Sequence, residues 1–372
     1  MSRRIIIAGG GTGGHIFPAI AIANALKEME EDTEILFVGA QGKMEMEKVP
    51  QAGFRIVGLD IAGFNRSSLI RNIGLPIKLV KSFLQVRRIF KDFRPDAVIG
   101  VGGYSSYPVL RYAQFSGLMT FIHESNSFAG RSNILLGRKA TRIFVATEGM
   151  GKFFPADRIE LTGNPVRKSI EESGVERSEA IRSFRLDPDA TTVLVVGGSL
   201  GAKSINEAIR KGVDEITRSG LQLIWQTGKP FAEEGSKAAE GNDRVWTDAF
   251  ITRMDNAYAA ADLVVSRAGA MSIAELCIVG KPAILVPFPH AAEDHQTFNA
   301  RSLSERDAGI LIPDQAAAAQ LVPTVIALAK DVKKRKELGD HIRPLAIRHA
   351  DKKIASSILE YLNKNIKRNI RS

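Results

Sequence analysis

A chain of 372 residues exceeds what one hydrophobic core usually organises, so two domains are expected. The 44% hydrophobic and 25% charged content are those of a folded soluble protein. Its one cysteine, Cys277, excludes an intramolecular disulfide, suits a reducing compartment, and reads as a buried structural thiol on an apolar helix face.

The N-terminal run MSRRIIIAGGG stops being apolar after Ala8, too short for a signal-peptide core, and no later stretch approaches a membrane span. The protein is therefore expected to stay in the cytoplasm. The net charge of +10 is unevenly placed. Residues 1–165 carry 21 Lys and Arg against 14 Asp and Glu, residues 166–329 carry 17 against 22, and residues 330–372 carry 13 against 5. The N-terminal excess lies in one segment, where Arg66, Arg71, Lys78, Lys81, Arg87, Arg88, Lys91 and Arg94 face only Asp92.

In chain order, residues 4–8 read as a strand, 9–14 as a glycine turn and 17–29 as a helix with Ile20, Ala23 and Leu26 inward. Further strands are expected at 34–38, 97–101, 119–123 and 142–146, separated by helical stretches. That alternation implies right-handed crossovers and a parallel, doubly wound sheet. The pattern pauses at TGNPVR (162–167) and at the polar stretch through Asp189, and then restarts with a strand at 192–196, the turn GGSLGA and a helix at 205–213. IIIAGGGTGGH and VLVVGGSLGAK are thus two openings of one pattern. The expected fold is α/β, with two Rossmann-like doubly wound parallel-sheet domains facing a cleft. Residues 1–164 form the first, 165–345 the second, and 346–372 a basic helical tail that packs back on the first. Ligands of such sheets bind at the C-terminal ends of the strands.

The stretch DLVVSRAGAMSIAELCIVG (262–280) runs from a buried strand through a small-residue turn into a helix with Ile273, Leu276, Cys277 and Val279 on one face. Backbone N–H groups at such a helix start point at one spot and suit a phosphate or diphosphate. Glu275, one turn further in, needs hydrogen-bond donors to sit in apolar surroundings, and ribose hydroxyls are candidates.

GGGTGGH (9–15) satisfies G-x-G-x-x-G, yet no acidic residue stands at the end of the second strand, Gly39-Ala40-Gln41, to hold a dinucleotide ribose. It reads as an anion cradle, and Gly102, Gly103 and Tyr104 after the strand at 97–101 read as a second one, together suiting a diphosphate. His15 ends the first cradle, where a neutral imidazole can take a proton from an incoming hydroxyl; His123 and Glu124 in HESN are the alternatives. HAAEDHQTFN (290–299) has no metal-binding spacing and reads as a polar loop in which Gln296 and Asn299 face sugar hydroxyls. DPD (187–189) precedes a strand and reads as a turn. In the helix expected at 73–93, Ile77, Val80, Leu84 and Arg87 form a stripe with Phe83 and Phe90 nearby, flanked by Lys78, Lys81, Arg88 and Lys91. An apolar stripe with a basic rim suits an anionic membrane surface, and no nucleic-acid motif accompanies it.

Taken together these segments resemble the MurG family, the UDP-N-acetylglucosamine transferases of bacterial peptidoglycan precursor synthesis. GGTGGH, GGY (102–104), HESN (123–126), GNPVR (163–167), GGSLGA (197–202), SRAGAMSIAE (266–275) and DHQTFNA (294–300) fall in family order across nearly the whole chain. The resemblance implies a GT-B glycosyltransferase with no cofactor and no metal. It would move N-acetylglucosamine from UDP-N-acetylglucosamine to undecaprenyl-linked lipid I, as a peripheral protein on the cytoplasmic face of the plasma membrane. Donor contacts implied by the family fall on Thr12, Gly13, Gly14 and Asn126, and on Arg167, Ser199 and Ile251. They continue over Ala270, Met271, Ser272, Ile273, Ala274 and Glu275, and end at Gln296. Glycine loops of the first domain, Gly102, Gly103 and Tyr104 among them, would meet the acceptor, and the apolar-basic patch the membrane. The chain departs from the family where Ser125 and Leu200 replace a common Gln.

The expected mechanism is a single displacement with inversion at the anomeric carbon, with His15 as the leading candidate base and domain closure excluding water. A related transferase acting on diacylglycerol is the nearest rival. A nicotinamide oxidoreductase and a non-catalytic UDP-sugar or lipid sensor are the rivals from other classes.

Overall fold

The computed structural model describes the backbone of residues 2–62, 75–198 and 200–371, with side chains through residue 365. The chain divides into two compact units, Met1–Val166 with His349–Ser372, and Arg167–Arg348.

In the first unit β1 (Arg4–Ala8), β2 (Glu34–Ala40), β3 (Arg55–Leu59), β4 (Ala97–Gly100), β5 (Met119–Glu124), β6 (Arg142–Val145) and β7 (Ile159–Leu161) form one sheet in the order β3-β2-β1-β4-β5-β6-β7. Every pairing in it is parallel. The helices are α1 (Gly13–Met29), α2 (Glu45–Gln51), α3 (Leu75–Phe93), α4 (Ser106–Phe115) and α5 (Arg131–Gly137). A parallel sheet covered on both faces needs strands that are apolar throughout, and β1 shows why its run of three isoleucines is there. Ile5 and Ile7 join α1 in one core, while Ile6 and Ala8 face the opposite core with Val86 and Phe90 of α3 and Val109 and Leu110 of α4.

The C-terminal helix, Ala350–Arg371, belongs to this unit. Its Ile354, Ala355, Ile358, Leu359 and Leu362 recur at helical spacing and complete the core beneath α1. Burying each of the large side chains contributes about 1.5–3 kcal/mol, so the basic tail is structural on one face and solvated on the other.

The second unit contains β8 (Thr192–Val196), β9 (Gln222–Gln226), β10 (Val245–Asp248), β11 (Leu263–Ser266), β12 (Ala283–Leu285) and β13 (Ile310–Leu311), again parallel, in the order β10-β9-β8-β11-β12-β13. Its helices are α6 (Lys168–Glu171), α7 (Arg177–Ser183), α8 (Lys203–Arg218), α9 (Ala232–Ala239), α10 (Met254–Ala260), α11 (Ala270–Val279), α12 (His295–Ser304), α13 (Ala317–Lys330) and α14 (Val332–Ile342). Trp225 is fully buried here because its indole N–H donates to Asn206 Oδ1 at 3.0 Å, and Asn206 in turn donates to the Thr227 carbonyl at 2.6 Å. DPD is a turn, closed by the Asp189 N–H donating to Asp187 Oδ1 at 2.9 Å.

Strand order reverses between β1 and β4 in one sheet and between β8 and β11 in the other. Those reversals open a crevice at the strands' C-terminal ends, where open parallel sheets bind ligands. The glycine turns stand there. Among the described residues no helix is long and apolar enough to cross a membrane.

Candidate functional site

In the first unit the helix expected from residue 17 begins at Gly13, inside the glycine run. Thr12 takes the extended N-cap conformation (φ −143°, ψ 156°), so Gly13 and Gly14 lie in the helix's first turn, which carries no acidic side chain. The two glycine turns interlock. The Gly10 N–H donates to the Gly102 carbonyl at 3.2 Å, and a Cβ on Gly103 would fall 2.5 Å from the Gly10 oxygen. Gly102 and Gly103 hold φ of 98° and 84°, a region in which only glycine is unstrained. Tyr104 follows directly. Burial raises its phenol pKa, and the negative charge of Glu45 raises it further.

Glu45 is the residue that sequence reasoning missed. It opens α2, is 1% exposed, and folds back so that Oε2 accepts the Gly11 N–H at 2.9 Å and Oε1 accepts the Ala40 N–H at 3.0 Å. A Cβ on Gly10 would fall 2.3 Å from its carboxyl carbon, and one on Gly39 2.5 Å from its Cγ. The first turn therefore holds an anion of its own, and the Gly11 amide is already satisfied. This narrows the expected cradle to the amides further along.

His15 lies on the first turn of α1, with Nδ1 3.1 Å from the Gly10 carbonyl and 3.3 Å from Thr12 Oγ1. A carbonyl only accepts, so a proton sits on Nδ1, and in the neutral ring Nε2 carries the imidazole lone pair. The ring lies against Gly102, where a Cβ would meet Cδ2 and Nε2 at 2.8 Å. The two alternatives are engaged elsewhere. His123 is fully buried, 3.4 Å from the Gly163 carbonyl and from Ser125 Oγ, and burial brings its pKa down to about 4. Glu124 organises its own loop, accepting from the Asn126 N–H (3.1 Å), Asn126 Nδ2 (3.3 Å), the Gly130 N–H (3.0 Å) and Asn133 Nδ2 (2.8 Å).

In the second unit the turn before α8 is closed by glycines. Gly198 and Gly201 hold φ of 82° and 74°, and a Cβ on Gly201 would strike the Thr227 oxygen at 2.1 Å. Ser199 lies outside the described residues. Gln226 ties this turn to its neighbour, its Nε2 donating to the Gly198 carbonyl at 2.9 Å and its Oε1 accepting the Ile251 N–H at 3.1 Å. Ile251 is thereby fixed, with its side chain buried.

Gly269 is the N-cap of α11, and a glycine offers no side-chain acceptor to the amides of a first turn that has no acidic residue. Ala270, Met271, Ser272 and Ala274 are half-buried there, while Ile273, Glu275, Leu276, Cys277 and Ile278 are buried. The buried face thus passes through Ile278, and Val279 stays partly exposed. Burial pushes the Cys277 thiol up to about 12, so it is no nucleophile. Glu275 finds its donors within the unit. Arg167 reaches Oε1 from Nη2 at 2.9 Å and from Nε at 3.2 Å, and the Tyr258 hydroxyl donates to Oε2 at 3.0 Å. Burial, then the Glu275 charge, raises the Tyr258 pKa well above its ordinary value, so it stays a donor. A carboxylate offers about four lone-pair sites, which leaves capacity for further donors beside these three bonds.

The SRAGA arginine is structural. Arg267 donates to the carbonyls of Val286 (3.1 Å) and Pro287 (3.2 Å) and to Asp314 Oδ1 (2.5 Å). Gln296 Oε1 accepts the Phe288 N–H at 2.9 Å. Asn299 does not share that role. It is 2% exposed and donates to the Ala268 carbonyl at 3.1 Å, anchoring α12 to the turn before α11 instead of facing a sugar. Among the described residues no group of three or more His, Cys, Asp or Glu side chains is placed to hold a metal ion.

On α3 the buried face is Ser82, Val86 and Phe90, with Phe90 edge-on to Tyr112 at 4.9 Å. Ile77, Val80 and Leu84 are 64%, 61% and 61% exposed, and Phe83 is half-buried. Lys78, Lys81, Arg87 and Arg88 are exposed around them, and Lys78 lies 3.9 Å from Asp60. An open groove of about 700 Å³ continues this surface, lined by Leu84, Arg87, Arg88, Lys91, Arg94 and Tyr112 among others. Arg66 and Arg71 lie outside the described residues.

Residues 5–145 match the glycosyltransferase family 28 N-terminal domain, and residues 192–358 its C-terminal domain. The chain is similar to the UDP-N-acetylglucosamine--N-acetylmuramyl-(pentapeptide) pyrophosphoryl-undecaprenol N-acetylglucosamine transferase of Parabacteroides distasonis, at 50% identity over 97% of this chain and 99% of that one. It is 51% identical to the transferase of the same name from Porphyromonas gingivalis, over 95% and 94% of the two chains. A crystal structure of Acinetobacter baumannii MurG matches with a TM-score of 0.78 and 27% identity, over 96% of this chain and 99% of that one. With two parallel sheets matching the GT-B fold of that structure and family domains in both units, the chain belongs to glycosyltransferase family 28 and, within it, to the MurG family.

Proposed function

We propose that this chain transfers N-acetylglucosamine from UDP-N-acetylglucosamine to the C4 hydroxyl of the muramoyl sugar of lipid I, an undecaprenyl-diphosphate-linked N-acetylmuramoyl-pentapeptide, giving lipid II for peptidoglycan. The observation that carries the reading is the start of α11, where a glycine N-cap opens the helix's positive end and Glu275 follows one turn inside. The diphosphate of UDP rests on the first-turn amides at Ala270 and Met271, and Glu275, braced by Arg167 and Tyr258, accepts from the ribose. Gln296 reaches the transferred sugar. Gly102, Gly103 and Tyr104 meet the acceptor.

The reaction is one displacement with inversion. The muramoyl oxygen bonds to the anomeric carbon, the bond from that carbon to the diphosphate breaks, and UDP leaves with the electron pair. The hydroxyl proton passes to Nε2 of His15, the nitrogen left unprotonated by the bond to Gly10. Oriented amides aimed at the growing diphosphate charge take the role a divalent cation would otherwise have.

The exposed stripe Ile77, Val80 and Leu84, with Phe83 beside it and Lys78, Lys81 and Arg88 around it, is read as the contact with the anionic cytoplasmic face of the membrane. This makes the protein peripheral and brings it to its lipid-linked acceptor. Charge reversal at Lys78, Lys81 and Arg88 is expected to weaken binding to vesicles containing anionic phospholipid; unchanged binding would remove the membrane assignment.

The function is tested by UDP release with UDP-N-acetylglucosamine and a lipid I analogue, with and without chelator. Turnover that survives the chelator is expected. Its loss would overturn the metal-free mechanism, and turnover with diacylglycerol but not with the muramoyl lipid would overturn the acceptor.

A further inference from the structure

Glu45 and His15 hold the two ends of a single peptide group. The Gly11 N–H donates to Glu45 Oε2 at 2.9 Å, and the carbonyl of that same peptide, on Gly10, accepts from His15 Nδ1 at 3.1 Å. Hydrogen bonds in a chain polarise one another, and an amide transmits the effect because its nitrogen and oxygen share one π-system. A carboxylate drawing on the N–H places more negative charge on the carbonyl oxygen. That oxygen then holds the Nδ1 proton more firmly and makes Nε2 the stronger base.

The peptide is built into place from every side. A Cβ on Gly10 would collide with the Glu45 carboxyl at 2.3 Å, a Cβ on Gly103 would meet the Gly10 oxygen at 2.5 Å, and the Gly10 N–H is held by Gly102 at 3.2 Å. Glu45's other oxygen is fixed by Ala40 at the end of β2, so the carboxylate has one orientation. A carboxylate with 1% exposure that serves only to close a turn is an expensive choice, since an amide or hydroxyl closes turns without burying charge.

We infer that Glu45 is a positioning residue for the transfer reaction, acting through the Gly10–Gly11 peptide group to fix the tautomer of His15 and raise the proton affinity of its Nε2. The inference deepens the proposed reaction and rests on His15 being its base. The titratable groups facing this corner are Glu45 from α2, Tyr104 from the turn after β4 and His123 from β5. Tyr104 and His123 are both neutral at neutral pH, the one with a raised pKa and the other with a pKa brought down to about 4, so Glu45 is the charge that tunes the imidazole.

The direct test is the imidazole nitrogen spectrum of the full chain, with the His15 signals assigned by their loss in His15→Ala. In the unmodified chain His15 is expected as the Nδ1–H tautomer; an Nε2–H tautomer would overturn the inference without any variant. In Glu45→Gln the His15 titration is expected about one pH unit lower, the size of one charge's effect across a peptide group at intermediate dielectric. The acid limb of the kcat profile should move down with it, with kcat at neutral pH down about tenfold and KM for UDP-N-acetylglucosamine within about twofold. Glu45→Asp keeps the charge on a shorter arm and should recover part of the shift. Combined with His15→Ala, Glu45→Gln should cost no further turnover. Loss that multiplies in that background, or a folded Glu45→Gln whose His15 titration has not moved, would mean that Glu45 only closes a turn. If His15→Ala retains turnover the base assignment fails, while the spectra still decide whether Glu45 and His15 are coupled.

Discussion

The turns that end β1 and β8 start from nearly the same letters, IIIAGGGTGGH and VLVVGGSLGAK, yet they are held by different chemistry. Behind the first stands a buried carboxylate, Glu45, on the N–H groups of Gly11 and Ala40. Beside the second stands a neutral amide, Gln226, which gives one bond to Gly198 and takes one from Ile251. The final residue of the two stretches differs as well, half-buried His15 on one side and exposed Lys203 on the other. A negative charge next to a turn repels a phosphate and favours a protonated imidazole, whereas a neutral brace does neither. In the proposed reaction one folding motif thus serves as a base-bearing corner in the first unit, and the UDP diphosphate falls to the second, where α11 begins on a glycine.

The largest expected effect breaks this division at the base. His15→Ala should lower kcat by about 10²–10⁴-fold, the usual worth of a positioned general base, while UDP affinity measured by calorimetry stays within about twofold. An equal loss of UDP affinity would place the nucleotide on the wrong turn. Next come two neighbouring glycines. Gly10→Ala meets both a positive φ of 149° and the Glu45 carboxyl at 2.3 Å, whereas Gly11→Ala meets a φ of 86° but no atom within 4 Å. The first should cost about 2–4 kcal/mol and the second about 1–2 in urea unfolding, because only the first adds overpacking to backbone strain. Equal losses would mean that Glu45 does not fill the turn.

His123, behind the same corner, gives a pH dependence. Its folded pKa of about 4 lies below the ordinary 6.5, so the unfolded chain takes up the proton first as pH falls. The contribution to stability is whole above about pH 6.5 and is lost towards pH 4, about 3 kcal/mol in all. Urea unfolding across that window should show the slope, and His123→Gln should flatten it; the same slope in both would sink the assignment. The smallest effect sharpens the other half of the comparison. Glu275→Gln should weaken UDP binding about tenfold, the worth of one hydrogen bond to a charged acceptor, without moving the acid limb of the kcat profile.

The strands β1, β2, β4, β5, β6, β8 and β11 and both glycine turns are legible from letters alone, because a buried parallel strand is a continuous apolar run and a tight turn needs glycine; β3, β7, β10 and β13, at the edges of the two sheets, and β9 are not among the strands expected. What escapes is decided by side chains that reach across the fold. No acidic residue stands at Gly39-Ala40-Gln41, the end of β2, yet a carboxylate arrives from Glu45, which folds back from α2 onto Gly11, 34 residues away in sequence. Arg167 and Glu275, 108 residues apart, both fall among the donor contacts that the family resemblance implies, but nothing in the spacing says that they pair with each other. Asn299 shares a helical face with Gln296 in a wheel, and only the position of Ala268 shows that it points inward. For α3 the apolar stripe is visible, while the choice of Val86 and Phe90 as the buried edge depends on α4.

A crystal structure of the full chain with UDP bound tests the central claim most directly. The diphosphate is predicted within hydrogen-bond distance of the Ala270 and Met271 amides, with the ribose on Glu275. A diphosphate lodged in the turn of residues 10–14, with Glu45 displaced from Gly11, would contradict the account.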